Sequence, residues 1–127
     1  MPFMSIALQK GQSAYVEDVD RHWSAGHRDD AVALFRLAVE KGRAGAVYHA
    51  VAEEGVSLKS IATEVGKHLD VPVVGIRDEQ VDEWFTWFGF GMKGDSRASS
   101  GQTKSELGWA PRGAGLSKET GAIVEFV

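Results

Sequence analysis

Cysteine is absent from this chain of 127 residues. That excludes disulfides, a thiolate nucleophile and any zinc–thiolate centre. A positive surplus is missing as well: 14 lysines and arginines stand against 18 acidic residues, for a formal net charge of −4. With no basic run either, nucleic acid and anionic membrane are not expected partners. The first residues carry neither a basic n-region nor a long apolar run, so a cytoplasmic location is expected. His22, His27, His49 and His68 show no H-E-x-x-H or comparable spacing, and no metal site is expected. No G-x-S-x-G surrounds a serine, and no glycine cluster has phosphate-cradling spacing. Repeats, low-complexity tracts and internal linkers are also missing. What is present, 43% hydrophobic and 25% charged residues, suits one globular domain over residues 1–127 with a modest core.

Four helical patterns and two strands are expected. In the first long helix Asp29 or Asp30 accepts a hydrogen bond at the N-terminus, and Lys41 with Gly42 supplies the stop. Its middle, Ala31, Val32, Ala33, Leu34, Phe35, Leu37, Ala38 and Val39, is apolar almost all round, which predicts cover on more than one face. Residues 46–52 read as a short strand, since Val47, Tyr48 and Val51 favour extended backbone and glycines bracket them. From Ser57 an amphipathic helix follows, with Leu58, Ile61, Ala62, Val65 and Leu69 inward. Residues 71–76 form the second strand, with Pro72 at its start or edge. A third helix opens near Asp78 and puts Val81, Trp84, Phe85 and Phe88 on one stripe, with Trp87 off it. Residues 89–98 read as a loop. A short helix then begins near Ser99, Ser100, Gly101 and Gln102 and stops at Gly108. A strand-like run, residues 122–127, ends the chain.

Groups able to do chemistry concentrate in two places. Residues 18–30 hold Asp18, Asp20, His22, His27, Asp29 and Asp30, and the loop expected after the first strand holds Glu53 and Glu54. Loops after strands commonly carry ligand-facing groups. His27, Asp29, Asp30, Glu53 and Glu54 are therefore the catalytic candidates, with the site roofed by residues 84–90. Trp84, Phe85, Trp87, Phe88 and Phe90 are many rings for so small a domain; Trp87, off the stripe, is the first to suspect of facing a ligand or partner.

The run Trp23, Ser24, Ala25, Gly26, His27, Arg28, Asp29, Asp30, Ala31 resembles W-x-x-x-H-x-x-D-A, the junction where an extended segment meets a helix in the extended or atypical short-chain dehydrogenase/reductase family, whose members include NAD-dependent epimerases and dehydratases. Residues 2–16 resemble the helix end and turn before that junction, and residues 46–56 the strand and loop after it. Leu107, Gly108, Trp109, Ala110 and Pro111 resemble the family's L-G-W-x-P. The family's G-x-x-G-x-x-G turn and Y-x-x-x-K pair, which bind the dinucleotide and transfer the proton, are both missing. The resemblance thus implies an α/β, α+β-like piece of about four helices and two or three short strands from the C-terminal part of a Rossmann-type enzyme.

By that resemblance the function is that of a truncated substrate-binding domain of an NAD(P)-dependent oxidoreductase or sugar epimerase-like protein. No cofactor is expected in this chain; NAD or NADP would come only with a partner half. Arg21, Trp23, Trp84, Trp87 and Phe88 are the substrate-binding candidates. The family's sugar-nucleotide enzymes often carry a diphosphate-binding arginine four residues before the histidine that matches His27. Trp23 stands there, and Arg21 would project differently, so a small polyol, sugar or carbonyl ligand is favoured. The alternatives are a free-standing, cofactor-independent hydrolase, glycosidase-like, using carboxylates and histidine, and an oligomeric ligand-binding module. A lone chain would expose an apolar helix face and a strand edge. Its expected partner is a second copy, in a two-fold dimer, or a chain carrying the dinucleotide-binding half.

Overall fold

The computed structural model describes residues 2–116 and residue 118. Its elements are helix α1 (Pro2–Lys10), strand β1 (Ser13–Val16), strand β2 (His22–Ala25), helix α2 (Arg28–Lys41), strand β3 (Glu53–Ser57), helix α3 (Leu58–Leu69), strand β4 (Val73–Ile76), short helices α4 (Val81–Phe85) and α5 (Gly89–Met92), and helix α6 (Gly101–Leu107). The chain is a mixed α/β domain, as expected, but its described residues hold four strands instead of two or three. They pair as two ribbons, β1 with β4 in parallel and β2 with β3 antiparallel.

The parallel ribbon carries the main core. Ala14 and Val16 of β1 and Ile76 of β4 pack with Leu58, Ile61, Ala62 and Val65 of α3, the stripe that the helical period marked out. Phe3, Met4 and Ala7 of α1 join the same core, and Phe3 meets Phe85 with ring centroids 5.7 Å apart. Ser57 caps α3, its hydroxyl accepting from the Ser60 N–H at 3.1 Å. The helix lies so close to the ribbon that a Cβ on Gly66 would collide with Val73, which is why glycine stands there. Fully buried Ser13 donates its hydroxyl to the Ala62 carbonyl at 2.7 Å, so its polar group is satisfied.

The segment after β4 is not one helix. A 3₁₀ turn at Asp78–Gln80 leads into α4, a second one at Thr86–Phe88 follows, and α5 occupies part of the stretch expected to be loop. Thr86, at a left-handed φ of 51°, breaks the helical run. The stripe itself survives: Val81 and Phe85 are buried, Trp84 and Phe88 half-buried, and Trp87 exposed. Helix α6 ends where expected, on Gly108 at a φ of 65°. At its start the Ser100 hydroxyl makes no cap bond, donating to the Val51 carbonyl instead, while the Ser99 hydroxyl accepts the Gly101 N–H at 3.3 Å.

Residues 46–52 are not a strand. Strand residues need a ladder, and these find none among the described residues. The His49 N–H donates to the Thr103 hydroxyl at 2.8 Å, and the Ala52 N–H donates to the Ala25 carbonyl at 2.9 Å. The strand on this side is β3, so Glu53 and Glu54 lie in a strand and not in a loop. Helix α2 also departs from expectation: only Asp30 and Leu34 are buried along it. Leu34 joins Leu107 and Trp109 in a small second core, flanked by Leu37, Ala38, Tyr48 and Ala50. Among the described residues no helix is long and apolar enough to cross a membrane. The expected strand at 122–127 lies outside the described residues.

Candidate functional site

Strand β2 runs into α2 through Gly26 and His27, and β3 runs beside β2, with Ala25 opposite Glu53. This brings His27 and Glu53 to one open cleft of about 290 Å³, walled by residues 25–28, Glu53, Ala114 and Leu116. Backbone crowding shapes its floor: a Cβ on Gly26 would strike the Ala50 carbonyl. The cap of α2 is His27, not Asp29 or Asp30. His27 sits in extended backbone, and its Nδ1 accepts the Asp29 N–H at 3.1 Å. An imidazole nitrogen can fill the capping role because, like a hydroxyl or carboxylate oxygen, it offers a lone pair at the right reach.

Asp30 is thereby released for another task. Its two carboxylate oxygens accept the Arg112 and Gly113 N–H groups, both at 2.8 Å, while its carbonyl accepts the Trp109 indole N–H at 2.8 Å. The Arg112 N–H holds the Asp30 carboxyl below the ordinary carboxylate value against the opposing effect of burial, and the Gly113 N–H and His27 add to the lowering. Glu53 performs the matching task further on, accepting the Leu116 N–H at 2.8 Å. Together Asp30 and Glu53 fasten residues 112–116 along the cleft.

Asp29 keeps its carboxylate 3.9 Å from the His27 Nδ1 without lining the cleft, and the remaining candidates lie elsewhere. Asp29 and Glu54 are exposed, and strand alternation turns Glu54 away from Glu53. The Arg21 guanidinium bonds Asp78 at 2.6 Å and the Met92 carbonyl at 3.3 Å, and this bond with Asp78 holds that carboxyl below its ordinary value. Arg21 therefore ties β2 to the segment after β4. Trp23 packs edge-on against Phe88 at 6.1 Å, and Trp87 against Phe88 at 5.7 Å, forming a separate aromatic group. Trp84 faces Lys10 of α1, whose ammonium lies 4.9 Å from the ring centroid, and its Nε1 is buried without a hydrogen-bond partner among the described residues. None of these rings walls the His27–Glu53 cleft, so the roof expected from residues 84–90 is absent. Residues 112–116 take that place, a role no sequence pattern signalled.

No group of three His, Asp or Glu side chains converges for a metal among the described residues. The N-termini of α2 and α3 do not fit a dinucleotide pyrophosphate. That anion needs open N–H groups at a helix N-terminus approached by glycines. Helix α2 opens on Asp29 and Asp30, and Ser57 already occupies the Ser60 N–H at α3.

The fold defines a class: a mixed α/β arrangement that recurs inside Rossmann-type enzymes. It superposes on the dTDP-glucose 4,6-dehydratase DesIV from Streptomyces venezuelae, solved with NAD and TYD bound (TM-score 0.69, 19% identity), covering 98% of this chain and 36% of that one. It superposes likewise on RMD from Pseudomonas aeruginosa in complex with NADPH (TM-score 0.65, 16% identity, 98% and 40% covered) and on gox2253 (TM-score 0.63, 24% identity, 99% and 43% covered). In sequence the chain is 41% identical over 123 residues to an uncharacterized protein of Schizosaccharomyces pombe, matching 97% of its own length and 42% of that protein's. A second uncharacterized protein, from Saccharomyces cerevisiae, is 40% identical over 116 residues, with 91% and 39% covered. The chain thus spans about two fifths of the curated relatives it matches. No family model matches it.

Proposed function

We propose that this chain is the substrate-side portion of an NAD(P)-dependent oxidoreductase or sugar epimerase-like protein, that the dinucleotide is held outside it, and that a small sugar, polyol or carbonyl compound lies in the His27–Glu53 cleft. One observation carries the reading. Nearly all of this chain superposes on about two fifths of Rossmann-type enzymes, two of them solved with a dinucleotide, while its two longest helices open on N-termini unsuited to a pyrophosphate.

The cleft chemistry supports an uncharged, hydroxyl-rich ligand. His27, Arg28 and Glu53 are among the lining residues, and their imidazole, guanidinium and carboxylate offer both donors and acceptors. A hydroxyl group is both as well. The Asp30 and Glu53 hydrogen bonds keep the wall in place, since each fastens part of residues 112–116. Titration of the ¹⁵N-labelled chain with sorbitol, glucose and dihydroxyacetone checks the reading. Saturable amide shifts are expected at Gly26, His27 and Glu53 for at least one of them, and Glu53→Ala should weaken that binding about tenfold, the scale of one hydrogen bond to a charged group. Shifts confined to the Trp23, Trp87 and Phe88 group, or none with any ligand, would contradict it.

A further inference from the structure

Strand β2 has β3 along one edge and residues 95–97 along the other. The Ser96 N–H donates to the His22 carbonyl at 2.8 Å, and the Ser24 N–H donates to the Ser96 carbonyl at 2.6 Å. Side chains complete this attachment. The Asp95 carboxylate accepts the His22 N–H at 2.7 Å, and the Arg97 guanidinium lies against the His22 ring, its Nη2 2.5 Å from Nδ1. The pair lies over Gly55 of β3, where a Cβ would touch both the Arg97 Cγ and the His22 Cβ at 3.6 Å.

A guanidinium has only donors and keeps its charge at any pH a protein tolerates. The nitrogen that it faces must therefore offer a lone pair, which makes the His22 ring neutral with its proton on Nε2. A second proton would go onto Nδ1 and set one N–H against another between two cations. Two carboxylates stand near enough to receive that imidazolium, Asp20 with an oxygen 3.7 Å from Nδ1 and Asp95 with one at 4.0 Å. With Arg97 these are the charged groups within 4.0 Å of the ring nitrogens among the described residues, and β3 presents only Gly55. The His22 N–H, above all, holds the Asp95 carboxyl below its ordinary value, so this acceptor stays charged in mild acid. The Arg97 side chain is 54% exposed, and water can receive it.

We infer that His22, Asp95 and Arg97 form an acid-sensitive latch: a neutral imidazole holds residues 95–97 on β2, and protonation turns the ring to Asp20 and Asp95, expels Arg97 and frees that edge of the strand. The latch is complete where histidine is neutral and is lost as pH falls through the range in which histidines charge, about pH 8 to 5. The open form carries one more proton than the closed one, so the ratio of open to closed rises by at most about tenfold per pH unit. None of the three residues belongs to the main core, and the release is local.

Amide hydrogen exchange of the ¹⁵N-labelled chain between pH 8 and pH 5, corrected for the pH dependence of free-amide exchange, tests the latch. Protection at Ser24 and Ser96 is expected to fall about tenfold or more over that range, while Val65, buried in α3, holds steady. Ring ¹⁵N shifts at pH 8 should show a bare Nδ1 and a protonated Nε2 on His22. His22→Gln keeps an acceptor for Arg97 and has no proton to gain, so both serine amides should keep their protection at every pH. Arg97→Gln takes away the opposing cation, and it too should show no such fall. A proton on Nδ1 at pH 8, wild-type protection that ignores pH, or an undiminished fall in His22→Gln would overturn the inference. If His22→Gln does not fold, Arg97→Gln decides, and a fall of wild-type size there overturns the inference equally. A parallel loss at Val65 would do so as well, because the event would then be unfolding of the whole chain and not release of one edge.

Discussion

Asp30 is only 8% exposed, yet it bears a carboxylate, and every oxygen of that carboxylate is spoken for by the backbone of residues 112 and 113. Replacing it with alanine should orphan both N–H groups and loosen the wall of the cleft. Asp30→Ala is therefore expected to lower the melting temperature clearly more than Asp29→Ala, whose exposed side chain has no such duty; equal effects would argue against the anchor. The same bonds give a pH dependence. Asp30, Asp78, Asp95 and Glu106 all have their carboxyls lowered in the fold, chiefly by the Arg112 N–H, Arg21, the His22 N–H and Arg43 respectively. A lowered folded value means stabilisation that is complete above the unfolded value and lost as pH falls through the folded one. The urea midpoint should stay level from pH 7 to about pH 5 and decline below about pH 4, and Asp30→Asn should make that decline shallower. His27 shows the limit of reading single residues. The sequence placed it at the helix junction, but two adjacent aspartates were the obvious caps, and only the observed backbone reveals that the imidazole fills the role and frees Asp30 for a contact 82 residues away.

Among the elements, those that carry their own period were legible. Helix α3 begins and buries as its sequence says, because Ser57 caps it and the three- and four-residue steps select a single face. Ser57→Ala should cost about 1 kcal/mol in a urea melt. The Phe85→Ala change should cost about 3–5 kcal/mol, since that ring is 1% exposed against Phe3; a cost below 1 kcal/mol would mean that α4 does not seal this core. Short strands were harder to read. Residues 13–16 form β1 only because β4, sixty residues away, supplies the parallel ladder, and nothing local marks them beyond Ala14, Tyr15 and Val16. Residues 46–52 fail in the opposite direction, having strand composition without the ladder. Strand structure depends on a partner in a way that helix structure does not.

For the molecule as a whole, one fact organises the rest: the described chain is well packed around β1, β4, α1 and α3, and bare along α2. The sequence showed α2 to be apolar almost all round, so its cover was foreseeable, but not that the described residues would leave so much of it in water. The mixed α/β class was legible from the order of motifs, and the His27–Glu53 half of the candidate site from its clustered charges. The C-terminal wall at residues 112–116 was not, because two backbone-to-carboxylate anchors leave no pattern in sequence. If the chain is the substrate side of a larger enzyme, dinucleotide binding is expected to fail here, since α2 and α3 open on N-termini unsuited to a pyrophosphate. Calorimetric titration of NADH and NADPH into the chain alone tests this most directly. No binding heat is expected with either at micromolar concentration, and a stoichiometric complex would contradict the account.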